Sequence, residues 1–222
     1  MKQAIISVYF GSRDTVSMDL LDAALQDALP EADMYRAFLS SRFSGAESLE
    51  TVLEQLRGYD RIVMQAMLVS RGPTFSKLQQ LAGNLPVGAP LLDSPAACAA
   101  AMADWLEQPL VLMAHGAEGM DLTGIAQTMP DGVWLAAMEG APTLSSILPQ
   151  LAGQSVHLAP FLLTAGHHAD KELHQWKHRL EQAGCSVTLH TTSLAHNPKI
   201  REIFTKHLAE CGANHQVCHC EA

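Results

Sequence analysis

Pro109-Leu110-Val111-Leu112-Met113-Ala114-His115-Gly116 decides the fold. Pro109–Ala114 is a short, near-continuous apolar run that stops at a histidine and a glycine. Such a run suits a strand buried on both faces of a parallel sheet. Two later runs have the same character, Val133–Met138 ahead of Glu139 and Val156–Thr164 ahead of His168. The intervals are 139 − 115 = 24 and 168 − 139 = 29 residues, each the length of one strand-plus-helix unit. In parallel α/β sheets the carboxyl ends of neighbouring strands open onto one crevice, where ligands bind. The three side chains are therefore expected to converge there.

Working outward, strand and helix alternate along the whole chain. The first half gives strands at Ala4–Phe10, Asp33–Phe38, Arg61–Val69 and Val87–Leu91, with helices at about Thr15–Leu29, Ala46–Arg57 and Thr74–Ala82. Pro30, Gly58 and Gly83 stand where helices stop. A linking helix at Pro95–Leu106 follows. The second half gives strands at Pro109–Ala114, Val133–Met138, Val156–Thr164 and Ser186–His190. Its helices fall at about Met120–Thr128, Thr143–Leu151, Ala169–Ala183 and Pro198–Ala209, with Gly184 closing the third and Pro198 opening the last.

The halves also match locally. Val8-Tyr9-Phe10-Gly11 parallels Met113-Ala114-His115-Gly116, with Phe10 where His115 stands. Gln65–Gly72 parallels Ala159–Gly166. After that glycine the first copy continues Pro73-Thr74 and the second His167-His168, so the plan repeats while the candidate ligands occur in the second copy alone. The expectation is an α/β fold of two similar lobes with flavodoxin-like topology, each a parallel sheet flanked by helices, facing an active-site cleft. Residues 1–93 form the first lobe, 94–210 the second, and 211–222 a Cys/His-containing tail.

Bulk properties narrow the function. A chain of 222 residues with 48% hydrophobic content has ample core, and global disorder is excluded. A formal charge of −9 argues against general affinity for nucleic acid or anionic membrane. No apolar run approaches the ~18–20 residues of a membrane span. The start, Met1–Phe10, reads as a first strand rather than a signal peptide, and the five Cys suggest no disulfide framework. A cytoplasmic location is expected, with the oligomeric state, including a homo-oligomer, left open.

Two imidazoles and one carboxylate suit a divalent transition metal with open coordination positions. Histidine also accepts protons near neutral pH, and a carboxylate lowers the charge of a metal site. His115, Glu139 and His168 are thus candidate catalytic residues and metal ligands together. Arg13 follows the first-strand motif and Arg71 lies in Ser70-Arg71-Gly72-Pro73; both are candidates for holding an anionic substrate, since guanidinium forks onto carboxylate. Arg36 and Arg42 also fall near strand ends. Phe10 and Met67, with Leu68, are candidates for an apolar substrate-binding floor or, equally, for the core.

These motifs resemble the anaerobic sirohydrochlorin cobalt chelatases, which belong to the class II tetrapyrrole chelatases together with protoporphyrin ferrochelatase. The resemblance covers most of residues 3–210. It rests on Val8-Tyr9-Phe10-Gly11-Ser12, Val111-Leu112-Met113-Ala114-His115-Gly116-Ala117, Met138-Glu139-Gly140, His157–Ala169 and Asn197–Phe204. It implies a chelatase-like fold and the same metal ligands, His115, Glu139 and His168. It also implies a sirohydrochlorin-type tetrapyrrole as partner, a divalent metal as substrate (Co2+ first, Fe2+ or Ni2+ as alternatives), and no organic cofactor. The chain departs from the family pattern in being short around Arg42–Ser44 and after His115. Ala117-Glu118-Gly119-Met120 stands where members often carry another histidine, and His167 where many carry an acidic residue.

The tail gathers Cys211, His215, Cys218, His219 and Cys220 within twelve residues, a candidate second metal site of irregular spacing. Two other functions compete with a chelatase. One is a protein that stores or delivers metal or tetrapyrrole without turnover. The other is a flavodoxin-like nucleotide-binding module, whose dinucleotide and P-loop variants are disfavoured by the lack of a glycine-rich phosphate loop after any strand.

Overall fold

The computed structural model describes residues 2–40, 47–165 and 167–214, with the side chains of 117–120, 167–169 and 213–214 left aside. The chain forms two compact units. The first holds β1 (Gln3–Tyr9), α1 (Thr15–Ala28), β2 (Asp33–Phe38), α2 (Leu49–Gln55), β3 (Arg61–Ala66), α3 (Pro73–Ala82) and β4 (Val87–Gly88). The second holds α4 (Pro95–Ala103), β5 (Leu110–Asp121), α5 (Thr123–Thr128), β6 (Val133–Ala141), α6 (Leu144–Leu151), β7 (Ser155–Pro160), α7 (His167–Gln182) and β8 (Ser186–Leu189). The last helix, α8 (Pro198–Asn214), packs with the first unit.

Each unit has a four-stranded, all-parallel sheet, ordered β2-β1-β3-β4 in the first and β6-β5-β7-β8 in the second. The central strands are apolar because both faces are covered. Ile5, Ile6 and Val8 of β1 and Leu110–Met113 of β5 are almost wholly inaccessible to solvent. Burying one such side chain stabilises by ~1.5–3 kcal/mol, so these strands anchor their sheets.

Repetition extends to single hydrogen bonds. The Met67 N–H donates to Val8 O at 2.9 Å, and Phe161, its counterpart, donates to Met113 O at 2.7 Å. Leu91 donates to Leu68 O at 3.0 Å, and Leu194 to Leu162 O at 2.8 Å. Each pair is followed by one 3-10 turn (Leu91–Asp93, Leu194–His196) and then a helix that begins with proline.

Those final helices correct the expected lobe boundaries. The helix after the first repeat, α4, belongs to the second unit, and α8, after the second repeat, belongs to the first. Buried Asn197 donates to Ala101 O at 2.8 Å, fixing α4. Buried His207 fixes α8: its Nδ1 donates to Ala89 O at 2.9 Å, and its Nε2 accepts from Ser94 Oγ at 2.7 Å. Arg61 Nη2 adds a bond to Gly212 O at 2.6 Å. The second unit is therefore Pro95–Asn197, not 94–210.

Candidate functional site

β5 and β6 run beyond the apolar stretches seen in the sequence, so His115 and Glu139 lie inside strands rather than just past them. Their register pairs Ala114 with Ala137 and Gly116 with Glu139, with an irregularity between Gly116 and Asp121. His115 and Glu139 therefore stand on adjoining strands, one register step apart, and both are solvent-exposed. His115 Nδ1 lies 3.0 Å from the Gly116 carbonyl, which can only accept; Nδ1 thus carries the hydrogen and Nε2 keeps its lone pair for a metal or a proton.

Gly116 makes the approach of the two strands feasible. Its φ is +70°, a conformation that favours glycine, and a Cβ there would collide with the Glu139 carbonyl oxygen and stand 3.0 Å from Ala137 Cβ. It is a positioning residue that the sequence reading passed over. The signal was present, because a glycine directly after a strand-end histidine implies a backbone need.

His168 falls in the first turn of α7, and its side chain lies outside the described residues. The Val156–Thr164 run is not one strand: β7 ends at Pro160, while Phe161 and Leu163 continue as buried anchors. Among the described residues no three His, Cys, Asp or Glu side chains are grouped to hold a metal ion.

In the first unit, Phe10 follows β1, at the position equivalent to His115. It is 53% exposed and, with Val16, is one of two large exposed hydrophobic side chains among the described residues. Arg13 is exposed in the β1–α1 loop, with no carboxylate partner among the described residues. Arg71 forks onto Asp93 through Nε (2.9 and 3.0 Å) and Nη2, and its guanidinium stacks over Phe75 at 4.9 Å. The Asp93 hydrogen bonds raise its pKa further. Arg36 is committed to Asp19 and Asp22, both at 2.6 Å. Met67, expected in a substrate floor, is a core residue at 3% exposure and presents no face to a ligand. Arg42 lies outside the described residues.

Of the tail candidates, Cys211 is a half-buried residue of α8 whose thiol pKa is raised by burial. His215, Cys218, His219 and Cys220 lie outside the described residues. No described helix is long and apolar enough to cross a membrane.

Known structures share this architecture along almost the entire chain. SirB from Bacillus subtilis with Fe3+ matches 97% of this chain and 98% of its own, with a TM-score of 0.67 at 20% identity. The sirohydrochlorin chelatase SirB from Bacillus subtilis subspecies spizizenii in complex with cobalt matches 97% of each chain, with a TM-score of 0.65 at 19% identity. In sequence, the sirohydrochlorin cobaltochelatase of Salmonella typhimurium (strain LT2) is 28% identical over 254 residues, covering 94% of this chain and 96% of that protein. The class so defined is that of the α/β metal chelatases. More narrowly, residues 3–212 match the family described as cobalt chelatase (CbiK), and the chain belongs to it.

Proposed function

We propose that this enzyme inserts a divalent metal, Co2+ foremost, into a sirohydrochlorin-type ring, with His115, Glu139 and His168 as metal ligands. The observation that carries the reading is the pairing of β5 with β6, which brings an imidazole and a carboxylate to adjoining strands within a chelatase fold. Insertion requires three things. The ion must shed water while staying loosely held, two pyrrole N–H protons must leave, and the ring must be positioned against the metal.

His115, with its Nε2 lone pair, and His168 offer neutral nitrogen donors that exchange readily. Glu139 lowers the net charge of the metal–ligand set, so the loaded site carries one positive charge rather than two while the ion waits for the ring. The histidines also serve as proton acceptors near neutral pH, a role worth ~10²–10⁴ in rate. The ring's carboxylates call for guanidinium. Arg13 supports that role through its exposure, whereas Arg71 must first exchange Asp93 for a substrate carboxylate. Phe10 supplies exposed aromatic surface for a ring face.

The test is an anaerobic absorbance time course of the full chain with sirohydrochlorin and Co2+, Fe2+ or Ni2+ in turn. Enzyme-dependent conversion to the metallated spectrum, fastest with Co2+, is expected. Tight ring binding with no conversion by any of the three ions would favour a carrier instead.

A further inference from the structure

One histidine cluster in the second unit carries chemistry that the insertion site does not use. His157 lies on β7 and His190 directly follows β8. The β7–β8 register pairs His157 with Thr188, so residue 190, two positions on, falls on the same face of the sheet. His157 Nδ1 and His190 Nε2 are 2.8 Å apart, and the rings meet edge to edge, with centroids 5.1 Å and planes 24° apart. On the other side of the His157 ring, Nε2 meets Glu107 Oε2 at 3.3 Å. The pair lines a cavity of about 760 Å3 together with Asp104, Trp105 and Thr188.

Two ring nitrogens facing each other at this distance share one hydrogen, and each is a ligand once its lone pair is free. Burial, and then the neighbouring His157, lower the His190 pKa and favour its neutral, ligating form. Cis nitrogens around an octahedral ion at ~2.1 Å stand ~3.0 Å apart, so the present separation suits two cis ligands, and an ion fits beside the N–N line once each ring turns its lone pair off that line by roughly 45°. A carboxylate on the other nitrogen of a ligating imidazole fixes its tautomer and raises its basicity, and Glu107 holds that position. Asp104 and Glu107 also make the cavity negative.

We propose that His157 and His190 form a second binding site for a borderline divalent ion such as Co2+, Ni2+ or Zn2+, separate from His115, Glu139 and His168. Two protein nitrogens bind the ion and water fills its other positions, giving a weak, exchangeable site. On binding, the bridging hydrogen leaves for solvent and His190 takes a proton on Nδ1, so the neutral pair releases none overall.

The site is tested on the full chain labelled with 15N-histidine, titrated with Zn2+ alone and without tetrapyrrole, so the outcome does not depend on insertion activity. His157 Nδ1 and His190 Nε2 should shift in one shared step, and His190→Gln should remove the His157 response while other histidines keep theirs. The exposed substitution Glu107→Gln should weaken that step by ~10–100-fold. Unmoved His157 and His190 signals at Zn2+ levels that shift other histidines would overturn the site. So would a His157 response that survives in His190→Gln, or an affinity indifferent to Glu107.

Discussion

Replacing Gly116 with alanine tests how backbone chemistry holds the site. At φ +70° an alanine costs ~1–2 kcal/mol in backbone conformation alone. Its Cβ would also overlap the Glu139 carbonyl oxygen, a backbone atom that cannot rotate away. Relief requires the ends of β5 and β6 to part by ~1 Å or more, an overpacking strain of ~1–3 kcal/mol. The combined loss of ~2–5 kcal/mol should lower the melting temperature by roughly 5–15 °C. Because His115 precedes this residue and Glu139 is its register partner, the same displacement moves two proposed ligands apart. Misplacement of about 1 Å can cost ~10²-fold in rate. Thermal unfolding followed by circular dichroism and insertion followed by absorbance read both effects. A Gly116→Ala protein with the parent's melting temperature and insertion rate would refute this account of the β5–β6 junction.

Other expectations follow from the same physical chemistry. His207→Leu strips two hydrogen bonds from α8 and orphans Ser94 Oγ and Ala89 O, so stability should fall by ~2 kcal/mol, a drop of roughly 4–8 °C; an unchanged melting temperature would show that α8 is held by apolar packing alone. The His190 pKa lies below its unfolded value of ~6.5, so the unfolded chain binds more protons just below that pH and stability declines as pH falls through the window. Melting temperatures at mildly alkaline and mildly acidic pH should therefore diverge less in His190→Gln than in the parent, and equal divergence would contradict the assignment. Removing residues 215–222 should leave insertion intact, because the family match ends at residue 212; loss of activity would give the tail cysteines and histidines a part in catalysis.

The α/β alternation was legible because doubly covered parallel strands must be apolar throughout, and Val111, Leu112 and Met113 carry that mark. Element ends were less legible, because apolar runs record burial and not pairing. Phe161 and Leu163 are buried beyond the last residue of β7, just as Met67 is beyond β3. In the other direction, β5 and β6 outrun their apolar stretches, since ladder pairing continues through exposed His115 and Glu139. The helix exchange was invisible, because nothing in the composition of Pro198–Asn214 tells which sheet it packs on; His207 and Asn197 decide that through bonds to residues about a hundred positions away. Arg71 illustrates a further limit. A guanidinium at a strand end reads as a substrate clamp until its Asp93 partner, 22 residues on, comes into view.

The central claim, that insertion runs through His115, Glu139 and His168, is tested most directly by a paired measurement on His168→Ala. Metal insertion is followed by absorbance with Co2+ and sirohydrochlorin, and affinity for the metal-free ring by fluorescence quenching. Insertion should fall by at least ~10²–10⁴-fold, through loss of a ligand and a proton acceptor together, while ring affinity persists. Near-normal insertion by His168→Ala would contradict the claim.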